Sequence, residues 1–137
     1  MVERSEALRF ARHHHRGVLA TTRRDGRVAL TPVVAGVDTD DRVVVSTRAT
    51  AYKARNLARQ PFASLCLFED AFFGAYVQIE GPAELIPLPA AMEGLVDLYR
   101  QIAGEHPDWE AFREAMVGEA RVLVRITPER VGPTQAG

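Results

Sequence analysis

Between Val18 and Thr47 the chain passes through three stretches rich in β-branched residues, Val18–Thr22, Val28–Val37 and Val43–Thr47, separated by only a few polar residues. Links that short join antiparallel neighbours, because a parallel pair needs a crossover of about a dozen residues or more. The first link carries Asp25-Gly26, a dipeptide suited to the positive φ of a tight hairpin turn. Asp38–Asp41 supplies the second turn. Three further runs extend the pattern. Phe62–Phe68 is almost continuously apolar, as a central strand would be, Phe73–Leu85 is longer, and Arg121–Thr127 alternates polar and apolar like a half-buried strand. Pro32 and Pro82 fall inside strands. Proline cannot donate to a ladder, so Pro32 marks an edge or bulge and Pro82 a bend or edge.

Helical periodicity fills the intervals. Ser5–His14 reads as an amphipathic helix with Ser5 at its N-cap and Gly17 ending it. Ala51–Gln60 follows Thr50, a suitable N-cap, and stops at Pro61. Ala90–Ala103 and a short segment from Pro107 to Val117 complete the set, and the tail from Pro128 is expected to be loose. Six antiparallel strands with flanking helices in 137 residues predict a mainly β (α+β) domain. A closed or nearly closed barrel is favoured, since closure removes exposed edges. No linker or repeat interrupts the chain, so residues 1–137 read as one domain.

Composition excludes several classes of function. The chain has a single cysteine, Cys66, so neither a disulfide framework nor a multi-cysteine metal site can form within it. Cys66 lies in an apolar strand and is expected to be an inert core residue. No apolar run nears the roughly 18 residues that span a bilayer. The N-terminus lacks an apolar signal core. A cytoplasmic protein without a membrane partner is expected. His13-His14-His15 are adjacent, whereas helical metal pairs sit at i, i+4, so no metal is expected there. The motifs G-x-S-x-G, H-E-x-x-H, G-x-G-x-x-G and the phosphate-binding loop are absent from the sequence.

A net charge of -1 conceals an asymmetry. Arg42 to Phe68 holds five cations and no acid, whereas Glu69 to Glu119 holds eleven acids and two cations. That separation points to a local anion site, or alternatively to a solvated basic helix face. A pI of about 6.4 argues against a nucleic-acid partner. Lys53 is the only lysine beside sixteen arginines. It falls in the first turn of the Ala51–Gln60 helix, where unsatisfied N–H groups and the helix dipole favour an anion. Its compact charge suits a phosphate oxygen. Ser46 and Thr47 end the preceding strand and offer hydroxyls. Asn56 lies at i+3 from Lys53 and would share its face, with Arg55 and Arg59 alongside. The alternative is a solubilising helix with Ala54, Leu57 and Ala58 turned inward.

The succession Gly17–Thr21 (GVLAT), the Asp25-Gly26 hairpin, Pro32–Val34 (PVV), Val45–Arg48 (VSTR), Lys53–Leu57 (KARNL), Tyr76–Leu85, Leu98–Trp109 and Arg121–Pro128 resembles the pyridoxamine 5′-phosphate oxidase-like split β-barrel family. More narrowly, it is similar to the branch of flavin/deazaflavin oxidoreductases that binds coenzyme F-420. The KARNL and YRQIAGEHPDW segments are the most specific. The resemblance implies a six-stranded antiparallel split β-barrel with flanking helices. It also implies a homodimer with two cofactor sites at the subunit interface and a small-molecule substrate. By the same resemblance the cofactor's phosphate would meet Ser46, Thr47, Lys53 and Asn56 with Arg55 nearby, and its ring would lie beside the backbone of Pro32, Val33 and Val34. Tyr76 and Gln78 would come from the partner chain. Family members often carry another cation where this chain has Thr47–Tyr52, and Arg48 is the residue available to replace it. The implied reaction is hydride transfer between the deazaflavin and an unsaturated organic molecule. Alternatives are an FMN-dependent oxidase-type flavoprotein and a non-catalytic F-420 carrier. No residue stands out as a general acid.

Overall fold

Strands joined by only a few residues pair with their sequence neighbours, and pairings between strands distant in the chain complete the architecture. The computed structural model describes residues 3–132. In chain order it contains α1 (Arg4–His13), β1 (Arg16–Thr22), β2 (Val28–Val37), β3 (Val43–Arg48), α2 (Tyr52–Arg59), β4 (Phe62–Phe68), β5 (Tyr76–Ile86), α3 (Met92–Ala103), α4 (Trp109–Gly118), β6 (Arg121–Ile126) and β7 (Arg130–Gly132). All pairings are antiparallel. The order β4-β1-β2-β3-β6-β5 closes through a β4–β5 pairing, giving the six-stranded barrel, with β7 added beside β5.

Two strands change partners midway, and the two prolines sit at those places. β2 pairs with β1 from Val28 to Val34 and with β3 only from Ala35 to Val37. Pro32 therefore lies on a stretch bonded on one side alone, an edge rather than a bulge. β5 pairs with β4 up to Pro82 and with β6 from Ala83. β4 is bonded on both sides, to β1 and β5, as its apolar run predicts.

The barrel interior holds Leu19, Leu65, Leu67, Ile79 and Ile126, each fully enclosed. Burying a side chain of this size contributes about 2 kcal/mol. Ala7, Leu8 and Ala11 of α1 join that core. α3 and α4 pack outside β3 and β6, where Val44 and Leu123 meet Leu95, Val96, Leu98 and Phe112. β3 buries Val43, Val44 and Val45 in succession because both of its faces are covered.

Several local expectations are corrected. Arg130–Gly132 forms β7 on Gln78–Glu80, although the tail was expected to be loose; its remaining five residues lie outside the described part. Neither Ser5 nor Thr50 caps a helix. The cap positions are Glu3 and Ala51, without side-chain bonds. Gly17 belongs to β1 instead of ending α1, and a Cβ there would come within 2.1 Å of the Cys66 carbonyl oxygen. Only a glycine lets β1 and β4 approach so closely. Cys66 is half-buried on the outer face of β4, between Leu65 and Leu67, which point inward. Ala58 is exposed, leaving Ala54, Asn56 and Leu57 as the buried side of α2. No helix among the described residues is long and apolar enough to cross a membrane.

Candidate functional site

Where β2 leaves β1 without yet reaching β3, a cleft of about 810 Å³ opens. Its floor is β1 and β2, through Gly17, Val18, Pro32, Val33 and Val34. The Ala35 N–H donates to the His15 carbonyl at 2.7 Å, toward β1. Antiparallel backbone groups alternate sides, so the Val34 N–H and the Pro32 carbonyl face the unpaired edge. The opposite wall is helical and apolar. Leu95, Leu98, Tyr99 and Ile102 at i, i+3, i+4 and i+7 of α3 line it, with Phe112 and Met116 of α4. Tyr99 packs edge-on to Phe112 at 5.2 Å and to Trp109 at 5.7 Å between ring centroids.

The polar end is built by β3, α2 and β6. Ser46, Lys53 and Arg121 line it. Lys53 forms no ion pair among the described residues. α2 has no side-chain cap, and its first main-chain bond runs from the Arg55 N–H to the Ala51 carbonyl at 3.1 Å. The amides of Tyr52, Lys53 and Ala54 thus lack helical acceptors. Arg121 is held differently. Its Nη2 and Nε donate to Glu119 Oε1 at 2.7 and 2.9 Å, and Arg48 reaches the same oxygen at 3.4 Å. Arg48 and Arg121 are direct cross-strand partners, so Glu119 relieves two like charges. The Arg121 hydrogen bond, aided by Arg48, holds the Glu119 carboxyl below the usual carboxylate range. At the other end Arg16 pairs with Asp70.

Five of the residues anticipated from sequence line this cleft: Pro32, Val33, Val34, Ser46 and Lys53. The others lie elsewhere in the same chain. Thr47 is buried behind Ser46, and Arg48 turns to Glu119. Asn56 does not share a face with Lys53. It points inward, only 6% exposed, with Nδ2 donating to Thr21 Oγ1 at 3.1 Å and Oδ1 accepting from Arg59 at 3.0 Å. Arg55 lines a second, basic cleft. Tyr76 and Gln78 lie on the outer face of β5, which is joined to the cleft through Phe68, the cross-strand partner of Tyr76. Residue-type arguments missed Arg16 and Arg121, because neither sits in a recognisable motif. The α3 wall was legible from sequence only as a helix over Ala90–Ala103, and its facing was not. His14 packs on Phe10 at 4.4 Å between ring centroids, and the His15 ring pairs with the Ala35 carbonyl at 2.8 Å.

Comparisons with known proteins agree with this geometry. A family model described as pyridoxamine 5′-phosphate oxidase matches residues 4–135. A conserved hypothetical protein from Mycobacterium tuberculosis superposes with a TM-score of 0.82 at 29% identity, covering 98% of this chain and 86% of its own. A structure described as an F-420 reductase gives 0.71 at 18% identity, covering 90% and 94%. A putative pyridoxamine 5′-phosphate oxidase from Listeria innocua gives 0.68 at 17% identity, covering 94% and 95%. At such identities the last two share a fold with this chain.

Proposed function

The chain belongs to the pyridoxamine 5′-phosphate oxidase family, a flavin-binding fold, and from that premise we propose that its cleft holds coenzyme F-420 and that the protein is a deazaflavin-dependent oxidoreductase acting on an unsaturated small organic molecule. The observation that carries this reading is the meeting, in one cleft, of the unpaired β2 edge and an ammonium without a carboxylate partner. A cofactor with a polar ring edge and an anionic tail matches both ends. The choice of deazaflavin over FMN rests on the sequence resemblance to the F-420-binding branch, and an F-420 reductase is among the fold neighbours.

The bound coenzyme supplies a hydride at its ring carbon C5. The chain's own residues do the rest. Lys53 and the uncapped amides of α2 grip the phosphate, and the Ser46 hydroxyl donates to it. The Val34 N–H and the Pro32 carbonyl orient the ring edge. Leu98, Tyr99, Phe112 and Met116 exclude water and press the substrate against the ring. No carboxylate or imidazole lines the cleft among the described residues, so the protein accelerates the reaction by orientation and burial. The proton comes from solvent or from the Tyr99 phenol.

The proposal includes a homodimer, supported by the outer face of the sheet. Val28, Leu30 and Val34 are 61%, 67% and 46% exposed there, beside Val18, Cys66, Phe68 and Tyr76. A contiguous apolar face of this kind marks an interface. A partner seated on it brings its own Tyr76 and Gln78 toward the cleft. The family name favours FMN as the competing cofactor, and the flavin absorbance of the purified protein separates the two. Isothermal titration with F-420 and FMN is the direct test. Lys53→Ala should weaken F-420 binding by about 1–3 kcal/mol, the worth of a charge-assisted hydrogen bond. Equal affinity in the two proteins refutes the assignment of Lys53, and tighter FMN than F-420 refutes the choice of cofactor.

A further inference from the structure

The basic stretch Arg42–Arg59 does not stay together in space, and part of it builds something new. Arg55 and Arg59 of α2 meet Arg23 and Arg24 of the β1–β2 hairpin around a cleft of about 580 Å³ that shares no lining residue with the first. Four guanidinium groups around one small volume repel one another. Asp25 pairs with Arg23 at 3.2 Å, and no carboxylate pairs with Arg24, Arg55 or Arg59 among the described residues.

All four arginines are exposed, and Arg59 and Arg55 are also positioned by neighbouring groups. The buried Asn56 accepts from Arg59 Nη2 at 3.0 Å while the Thr22 carbonyl accepts from the same nitrogen at 3.2 Å. Arg55 lies over the Tyr52 ring at 5.8 Å. Four converging cations, two of them positioned by neighbouring groups, and uncompensated charge together describe a site suited to an anion.

We propose that this cleft is a second oxyanion site, separate from the cofactor cleft, for a small molecule carrying at least two phosphate or carboxylate groups. Guanidinium forks match such groups in bidentate fashion, and multiple charges offset the mutual repulsion of the arginines. Lys53 and Tyr52 are neighbours in sequence yet line different clefts, which keeps the two sites distinct.

Titration of the full chain with pyrophosphate and with tricarballylate, followed by calorimetry, tests this and separates phosphate from carboxylate preference. At low salt at least one probe should bind with one-site stoichiometry, and binding should weaken as salt rises. Arg24→Gln/Arg55→Gln alters two groups that no carboxylate holds, and it should weaken binding by about tenfold or more. Lys53→Ala should leave it unchanged. The inference is overturned if wild type binds neither probe, if the double variant binds as tightly as wild type, or if Lys53→Ala abolishes binding and so moves the anion to the first cleft. A thermal melt of each variant distinguishes loss of the site from loss of the fold.

Discussion

Asn56→Ala separates a structural role for this side chain from a ligand-binding one. Asn56 and its partner Thr21 are 6% and 3% exposed, and their hydrogen bond is 3.1 Å long. Removing the carboxamide loses that bond and leaves the Thr21 hydroxyl buried without a partner, a cost of about 2–3 kcal/mol. Alanine is the better helix former by about 0.6 kcal/mol, which offsets part of the loss. The net destabilisation is about 2 kcal/mol, or about 6 °C in Tm for a chain of this length. Urea and thermal unfolding followed by circular dichroism measure it. Thr21→Val removes the stranded hydroxyl, so the double variant should cost less than the sum of the two single changes by about 1 kcal/mol. Additive costs would refute the pairing. A loss below about 0.5 kcal/mol, accompanied by a fall in F-420 affinity as large as that of Lys53→Ala, would return Asn56 to the cofactor.

Other outcomes follow from the same geometry. Leu30→Glu places a charge in the exposed apolar sheet face and should convert a dimer to monomers by light scattering; an unchanged mass, or a monomeric wild type, would count against the interface. Burial pushes the Cys66 thiol above its ordinary value of 9.0, so at neutral pH it stays protonated. In the Leu30→Glu variant, where no partner covers the sheet face, its alkylation by iodoacetamide should accelerate steadily as pH rises past 9, and a rate flat from pH 7 upward would contradict that. Glu119 has a depressed folded value, so its ion pairs contribute fully above the ordinary carboxylate range and are lost as pH falls below it. Glu119→Gln should flatten the acid limb of the stability curve and, by releasing Arg121 and Arg48, tighten F-420 binding several-fold; an unchanged acid limb would show that the pairs contribute nothing.

Much of the barrel was legible because alternation and turn chemistry act locally. β2 and β4 run as predicted, Val28–Val37 and Phe62–Phe68, and the two interior prolines mark the places where strands change partners. What was not legible depends on contacts across the chain. Arg130–Gly132 carries too short a pattern to signal a strand and is ordered by its pairing with β5. Cys66 looked like core because β4 is apolar on both faces, so composition could not say which face was which. Asn56 sits at the right spacing to join Lys53, but the helix rotates it toward Thr21, and only packing decides that rotation. Lys53 was found from its rarity and its place in a first helical turn, two features that need no partner.

The handover of β2 from β1 to β3, and of β5 from β4 to β6, ties the two halves of the barrel together with unbroken chain. On its strand side the opening has no hinge to swing. An incoming molecule therefore meets hydrogen-bonding groups already turned outward, and its capture should proceed in one step, with an observed rate that grows linearly with concentration and shows no plateau.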